Sequence, residues 1–139
     1  MSDPLALLDT SILLDLPAAM DEHLHCFVSS FLCRAEMEFG VALRLRRGLG
    51  EHARNTRMLI GLYDEIGLWL PFGLAESREH GPLAAAAHQR APAKARSTDA
   101  LIASHAQALG LAVVTLNLED FQRLAVPVLT AAQAVALVN

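Results

Sequence analysis

Short apolar runs alternate with helix-length stretches along the whole chain, and this alternation limits the fold more than any other feature. Leu5-Ala-Leu-Leu8 is an apolar run stopped by Asp9, and it reads as a buried first strand. Thr10 and Ser11 open a helix-like stretch that stops near Pro17. Second and third strands are expected over 25–30 and 67–70. Between them, residues 31–48 are strong helix formers ended by Gly48-Leu49-Gly50, and a further helix is expected over 51–63. Residues 74–88 are helical in composition, and Pro92 and Lys94 fall in the loop that follows. Ser97-Thr98-Asp99, an Ala-rich body and Gly110 then supply an N-cap, a helix and a C′ glycine in that order. Residues 111–115 read as a fourth strand, 117–124 as a turn with a short helix, and 126–129 as a candidate fifth strand.

This order predicts an α/β fold: a three-layer α/β/α sandwich around a central parallel sheet of four to five strands. With 139 residues, 53% hydrophobic and 19% charged, the expectation is a single domain over 1–139 with a substantial core. No apolar run approaches the ~18 residues that span a bilayer, so no membrane role is expected. The start of the chain lacks the pattern of a secretory leader. Two cysteines, Cys26 and Cys33, are too few for a disulfide framework. Together these point to the cytoplasm. The net charge of −4 argues against a polybasic nucleic-acid binder.

In open α/β sheets, ligands bind beyond the carboxyl ends of the strands. Asp9 directly follows the first strand, and Asp120 lies shortly after the fourth. Glu36 is early in the helix after the second strand, and Asp99 opens the helix leading into the fourth. Sheet geometry can bring all four to one edge. Taken singly, each aspartate has a plainer role as a helix cap. Thr10 and Ser11 beside Asp9, and Ser97 and Thr98 beside Asp99, offer alternative caps, so neither acid is needed for that purpose. Converging carboxylates repel one another and either protonate or require a cation. Magnesium suits such a site, since it takes oxygen ligands, keeps several waters and commonly bridges carboxylates to substrate phosphates. It lowers the pKa of a bound water and neutralises charge on phosphate, so the expected chemistry is phosphodiester hydrolysis.

Four segments resemble a family. Leu7-Leu-Asp-Thr-Ser-Ile-Leu13, Ala35-Glu-Met-Glu-Phe-Gly-Val41, Ser97-Thr-Asp-Ala-Leu-Ile-Ala103 and Thr115-Leu-Asn-Leu-Glu-Asp-Phe121 are similar, in order and spacing, to the motifs of PIN-domain ribonucleases, specifically VapC-type toxins of bacterial toxin–antitoxin pairs. The resemblance implies an endoribonuclease that uses magnesium, with manganese as a substitute. Asp9 and Asp99 would be the principal ligands, with Glu36 and Asp120 completing the pocket directly or through water. Thr115 and Asn117 would shape its rim, and some relatives carry an acid where this chain has Asn117. The implied partners are an RNA substrate, a second copy of the chain in a homodimer, and a cognate antitoxin in a hetero-oligomer. The antitoxin would lie over an apolar groove of the two helices between 31 and 63. Helical periodicity does not choose between Glu36 and Glu38, which are two positions apart and face opposite ways. The glycine four residues after Glu36 favours Glu36 by resemblance.

Other constellations are weaker. His23, His25 and Cys26 lack a second ligand cluster at zinc-finger spacing. Six arginines, Arg34, Arg44, Arg46, Arg47, Arg54 and Arg57, form either a solvated helical hairpin or a basic flank that positions an RNA backbone. Arg96 is a separate candidate for phosphate contact. Two rival functions are an aspartate-dependent phosphoryl-transfer domain and a catalytically silent PIN-like binding module. The first lacks a second aspartate at position 11, which is serine, and a strand-end lysine, the only lysine being Lys94. Setting the four candidate acids aside from the 15 leaves 11, equal to the 11 bases. The formal excess of negative charge therefore equals the charge assigned to the pocket.

Overall fold

The protein, a computed structural model, is described over residues 3–138. Its strands are β1 (Leu7–Leu8), β2 (Val28–Ser30), β3 (Trp69–Leu70), β4 (Val113–Val114) and β5 (Val128–Leu129). They form one sheet in the order β3-β2-β1-β4-β5, and every pairing is parallel. Leu7 is in register with Val28 on one side and Val113 on the other. A parallel strand is covered on both faces, which is why its sequence is a continuous apolar run rather than an alternating one. Leu7, Leu8, Val113 and Val114 are all fully buried.

The helices are α1 (Thr10–Leu14), α2 (Ala18–Asp21), α3 (Phe31–Arg46), α4 (Gly50–Glu65), α5 (Leu74–His88), α6 (Pro92–Ala95), α7 (Thr98–Leu109), α8 (Leu118–Gln122) and α9 (Ala131–Ala136). Right-handed crossovers put α1–α4 on one face of the sheet and α5–α8 on the other. The packing agrees: α3 lies on α1 and α4, while α7 lies on α5, α6 and α8. Tyr63 of α4 reaches under α1 and donates a 2.6 Å hydrogen bond to the Leu13 carbonyl. Helix α7 is buried on most sides, from Ala100 through Ala106, and Gly110 ends it at φ 70°, a left-handed turn that favours glycine.

Several boundaries differ from the sequence reading. The helix expected to stop near Pro17 ends at Leu14, and Pro17, in an extended conformation, caps a further helix, α2, that the sequence reading did not include. Leu24–Cys26 is a 3-10 turn, so β2 starts only at Val28. The loop expected around Pro92 and Lys94 is the helix α6, with Pro92 in its first turn, where a missing N–H costs nothing. Helix α9 was not anticipated. Its start is a reciprocal cap between Thr130 and Gln133.

The strand order changes direction at β1, which pairs with β2 on one side and β4 on the other. That reversal opens a crevice past the carboxyl ends of β1 and β4.

Candidate acidic cleft

Asp9 is the first residue beyond β1 and is 3% exposed. Three donors fix its carboxylate. Ser11 donates to Oδ1 at 2.7 Å, Thr115 beyond β4 donates to Oδ2 at 2.7 Å, and the Ile12 amide donates to Oδ1 at 3.2 Å. The Ile12 contact makes Asp9 the N-cap of α1. This corrects the expectation that its hydroxyl neighbours relieve it of capping. Asp9 holds the extended backbone a cap requires, whereas Thr10 is already the first helical residue. Burial pushes the Asp9 carboxyl above its ordinary range, its hydrogen bonds oppose this, and the charge of Asp99 adds to it.

Glu36, in the second turn of α3, is half-buried and accepts a 2.6 Å hydrogen bond from Thr10. Burial raises its pKa, the Thr10 bond opposes the rise, and the charges of Asp99 and Asp9 add to it. Glu38 faces away from this group. It pairs with Arg34 at 3.3 Å and Arg57 at 3.5 Å. The geometry therefore separates the two glutamates that periodicity left open.

Asp99 is the second residue of α7 and Asp120 the third of α8. Lys94 of α6 lies between them, with its ammonium 3.0 Å from Asp99 Oδ2 and 3.6 Å from Asp120 Oδ2. Burial works against the charge of Lys94, but the two carboxylates prevail and leave its pKa above the usual lysine value. The four acids thus lie within electrostatic reach of one another along one edge, with only Asp99 and Asp120 linked by contact, through Lys94. Asp9, Glu36 and Asp99 are coupled by charge. Among the described residues, no three His, Cys, Asp or Glu side chains stand as a group that could hold a metal ion.

Thr115 is buried, and its hydroxyl also accepts from the Asn117 amide at 2.9 Å. Asn117 is exposed at the start of α8, beside a cavity of about 310 Å³ that Asp120 also lines. Glu36 lines a groove of about 440 Å³ with Leu32, Phe39, Thr98 and Leu101. Arg96 is exposed at the end of α6 and makes no ion pair among the described residues.

Of the six arginines between 34 and 57, two are held by acids. Arg34 makes a two-pronged contact with Asp64, at 2.9 Å through both nitrogens, and Arg57 is held by Glu38. Arg44, Arg46 and Arg47 lie at the far end of α3, about 12–16 Å along its axis from Glu36. A basic flank beside the acids is thus smaller than the sequence count suggests.

Three residues of this network were not singled out from sequence as site residues: Thr10, Ser11 and Lys94. The hydroxyls directly after a strand-end acid were the available signal. Ser11 bonds Asp9 and also accepts from the Leu116 amide at 3.0 Å, tying the β1 and β4 loops together. Lys94 gave no signal, because its approach to the acids depends on α6.

No family model matches the chain, and no curated protein matches it significantly. Solved structures do match. VapBC-1 from nontypeable Haemophilus influenzae aligns at 22% identity over 91% of this chain and 97% of that one, with a TM-score of 0.69. DNA-bound VapBC from Salmonella typhimurium aligns at 20% identity over 92% and 98%, with a TM-score of 0.72. VapBC2 from Rickettsia felis, bound to a DNA fragment from its promoter, aligns at 20% over 91% and 98%, with a TM-score of 0.65. With its five-stranded parallel sheet and these end-to-end alignments, the chain has the PIN fold of the VapC structures it resembles.

Proposed function

We propose that this chain is a magnesium-dependent endoribonuclease that acts in the cytoplasm as the toxin of a toxin–antitoxin pair. The observation that supports the reading is the charge coupling of Asp9, Glu36 and Asp99, with Lys94 bridging Asp99 to Asp120, near the edge where the strand order reverses. The donor set there is all hard oxygen, which suits magnesium or manganese. Two carboxylates, with waters and a substrate phosphate, suffice for such an ion. Asp9 and Asp99 would hold it, with Glu36 and Asp120 acting directly or through water. When bound, the ion supplies positive charge that lowers the pKa of a water and neutralises the phosphate.

The chain's own residues do the rest. Ser11 and Thr115 fix the Asp9 carboxylate in one orientation. Thr10 fixes Glu36, whose raised proton affinity suits it to take a proton from the attacking water. Thr115, Asn117 and Arg96 would orient the RNA strand, Arg96 by contact with a phosphate.

The partner surfaces follow from exposed apolar side chains. Met58, Leu59 and Leu62 of α4 line a groove of about 430 Å³, and Met58 is 69% exposed. An apolar antitoxin segment would cover this face. Phe39, 67% exposed beside Leu101, offers a second surface for self-association into a homodimer.

A second reading, a catalytically silent PIN-like module that binds RNA or protein, is favoured by one observation. Lys94 already offsets part of the charge of Asp99 and Asp120, which lowers the need of the fold for a metal. The deciding experiment incubates purified, antitoxin-free protein with total RNA, with and without magnesium, and maps new ends. Discrete cleavage that EDTA stops and magnesium or manganese restores supports the enzyme. RNA left intact at saturating metal supports the silent module.

A further inference from the structure

We propose that Lys94 is a resident counter-cation of the acidic cleft, and that a divalent ion must displace it from Asp99 and Asp120 before the site is loaded. The inference rests on the metal-dependent reading above and adds a residue that sets the metal threshold. Three observations carry it. The ammonium lies within 3.0 Å of one carboxylate and 3.6 Å of the other, so it occupies the space between two helix-borne acids. Both flanking acids belong to the first turns of α7 and α8, and neither has another cation within ion-pair distance among the described residues. Lys94 is also tethered: it sits on α6, only five residues before Asp99, and Ser97 donates to its carbonyl at 2.6 Å.

A magnesium ion held through Asp99 Oδ2 would stand beside the ammonium already on that oxygen, and the two positive charges repel. A magnesium ion arriving there therefore competes with an ammonium already in place. The side chain has a long flexible stem, and when released it can swing toward the same edge, where an RNA phosphate would accept it. Lysine suits this exchange better than arginine, because it is a point charge with no fixed fork to hold it on one carboxylate.

The chain has a single lysine, which gives a direct test. In full-length protein labelled at the lysine ε-carbon, one side-chain signal reports Lys94. Titration with magnesium alone should move that signal to a solvent-like position, with a midpoint equal to the magnesium dissociation constant. Binding of manganese alone, followed by its paramagnetic resonance, should tighten about fivefold in Lys94→Gln, the gain expected from removing a competing ion pair. Lys94→Arg should bind manganese no more tightly than the wild type, since it keeps the charge and its fork holds the carboxylate at least as well. Melting in EDTA should show Lys94→Gln less stable than the wild type, with a larger gain on adding magnesium. An unmoved lysine signal while manganese binds, or equal manganese affinity in Lys94→Gln, overturns the role of Lys94 and leaves the metal site standing. No manganese binding to wild type, Lys94→Gln or Lys94→Arg overturns the metal reading itself.

Discussion

Thr10 and Glu36 are 26 residues apart in sequence, yet the Thr10 hydroxyl donates a 2.6 Å hydrogen bond to the Glu36 carboxylate. The contact joins the first turn of α1 to the second turn of α3, and orients the one acid that does not follow a strand or open a helix. Thr10→Val keeps the shape and removes the donor. It should lower the RNA cleavage rate about tenfold or more, the scale of a lost hydrogen bond to a charged group. The melting temperature should change little. A rate equal to wild type would show that Glu36 needs no such support.

Glu36 and Glu38 should separate cleanly. Glu36→Gln should abolish most cleavage while folding normally. Glu38→Gln should cleave at nearly the wild-type rate and lose about 1 kcal/mol of stability, because its ion pairs with Arg34 and Arg57 are only partly exposed. Cleavage assays and chemical denaturation on the two variants check this. The reverse pattern would reassign the pocket to Glu38.

The raised pKa values of Asp9 and Glu36 give a pH dependence of definite sign. An acid with a raised folded pKa contributes stability below its unfolded value and loses it as pH rises through the folded value. In EDTA, these two groups therefore favour the fold under acid conditions and oppose it at neutral pH. Magnesium binds their charged forms, so its gain in melting temperature should be full at pH 7.5 and shrink as pH falls through the raised values. A magnesium-induced gain that stays the same from pH 7.5 down to the acid limit of the fold would contradict the involvement of these acids.

Tyr63 is the only tyrosine, which makes its ionisation visible on its own. Burial pushes its phenol up to about 12, and it donates to the Leu13 carbonyl at 2.6 Å. Its contribution to stability is complete below pH 10 and is lost as pH rises through about 12. Absorbance at the tyrosinate band should stay flat at pH 11 in the folded protein and rise only as the fold opens. Tyr63→Phe should remove the band and cost about 1–2 kcal/mol at neutral pH by leaving the Leu13 carbonyl unpaired. Titration near pH 10 without unfolding would mean the phenol is not held as described.

Much of the fold was readable because it rests on local rules. The run at Leu5–Leu8 and the Ser97-to-Gly110 frame carry their own stop or start signals, and the helix over 74–88 was legible from its helix-forming composition. The strands are shorter than their apolar runs, since a run records burial and not pairing. Pro92 was read as a loop residue, although proline is also favoured in the first helical turn, which is its role in α6. The acids were found because strand ends face ligands in parallel sheets. Thr10, Ser11 and Lys94 escaped notice because hydroxyls and a lone lysine have meaning only once the β1, β4 and α6 segments are brought together.

The most direct measurement compares cleavage of the same RNA, in saturating magnesium, by the wild type, Asp9→Asn and Asp99→Asn, with each protein shown to be folded by circular dichroism. The account predicts discrete cleavage by the wild type and at least a hundredfold loss in both variants, because each removes a charge that the metal requires. Cleavage by either variant at the wild-type rate would contradict it.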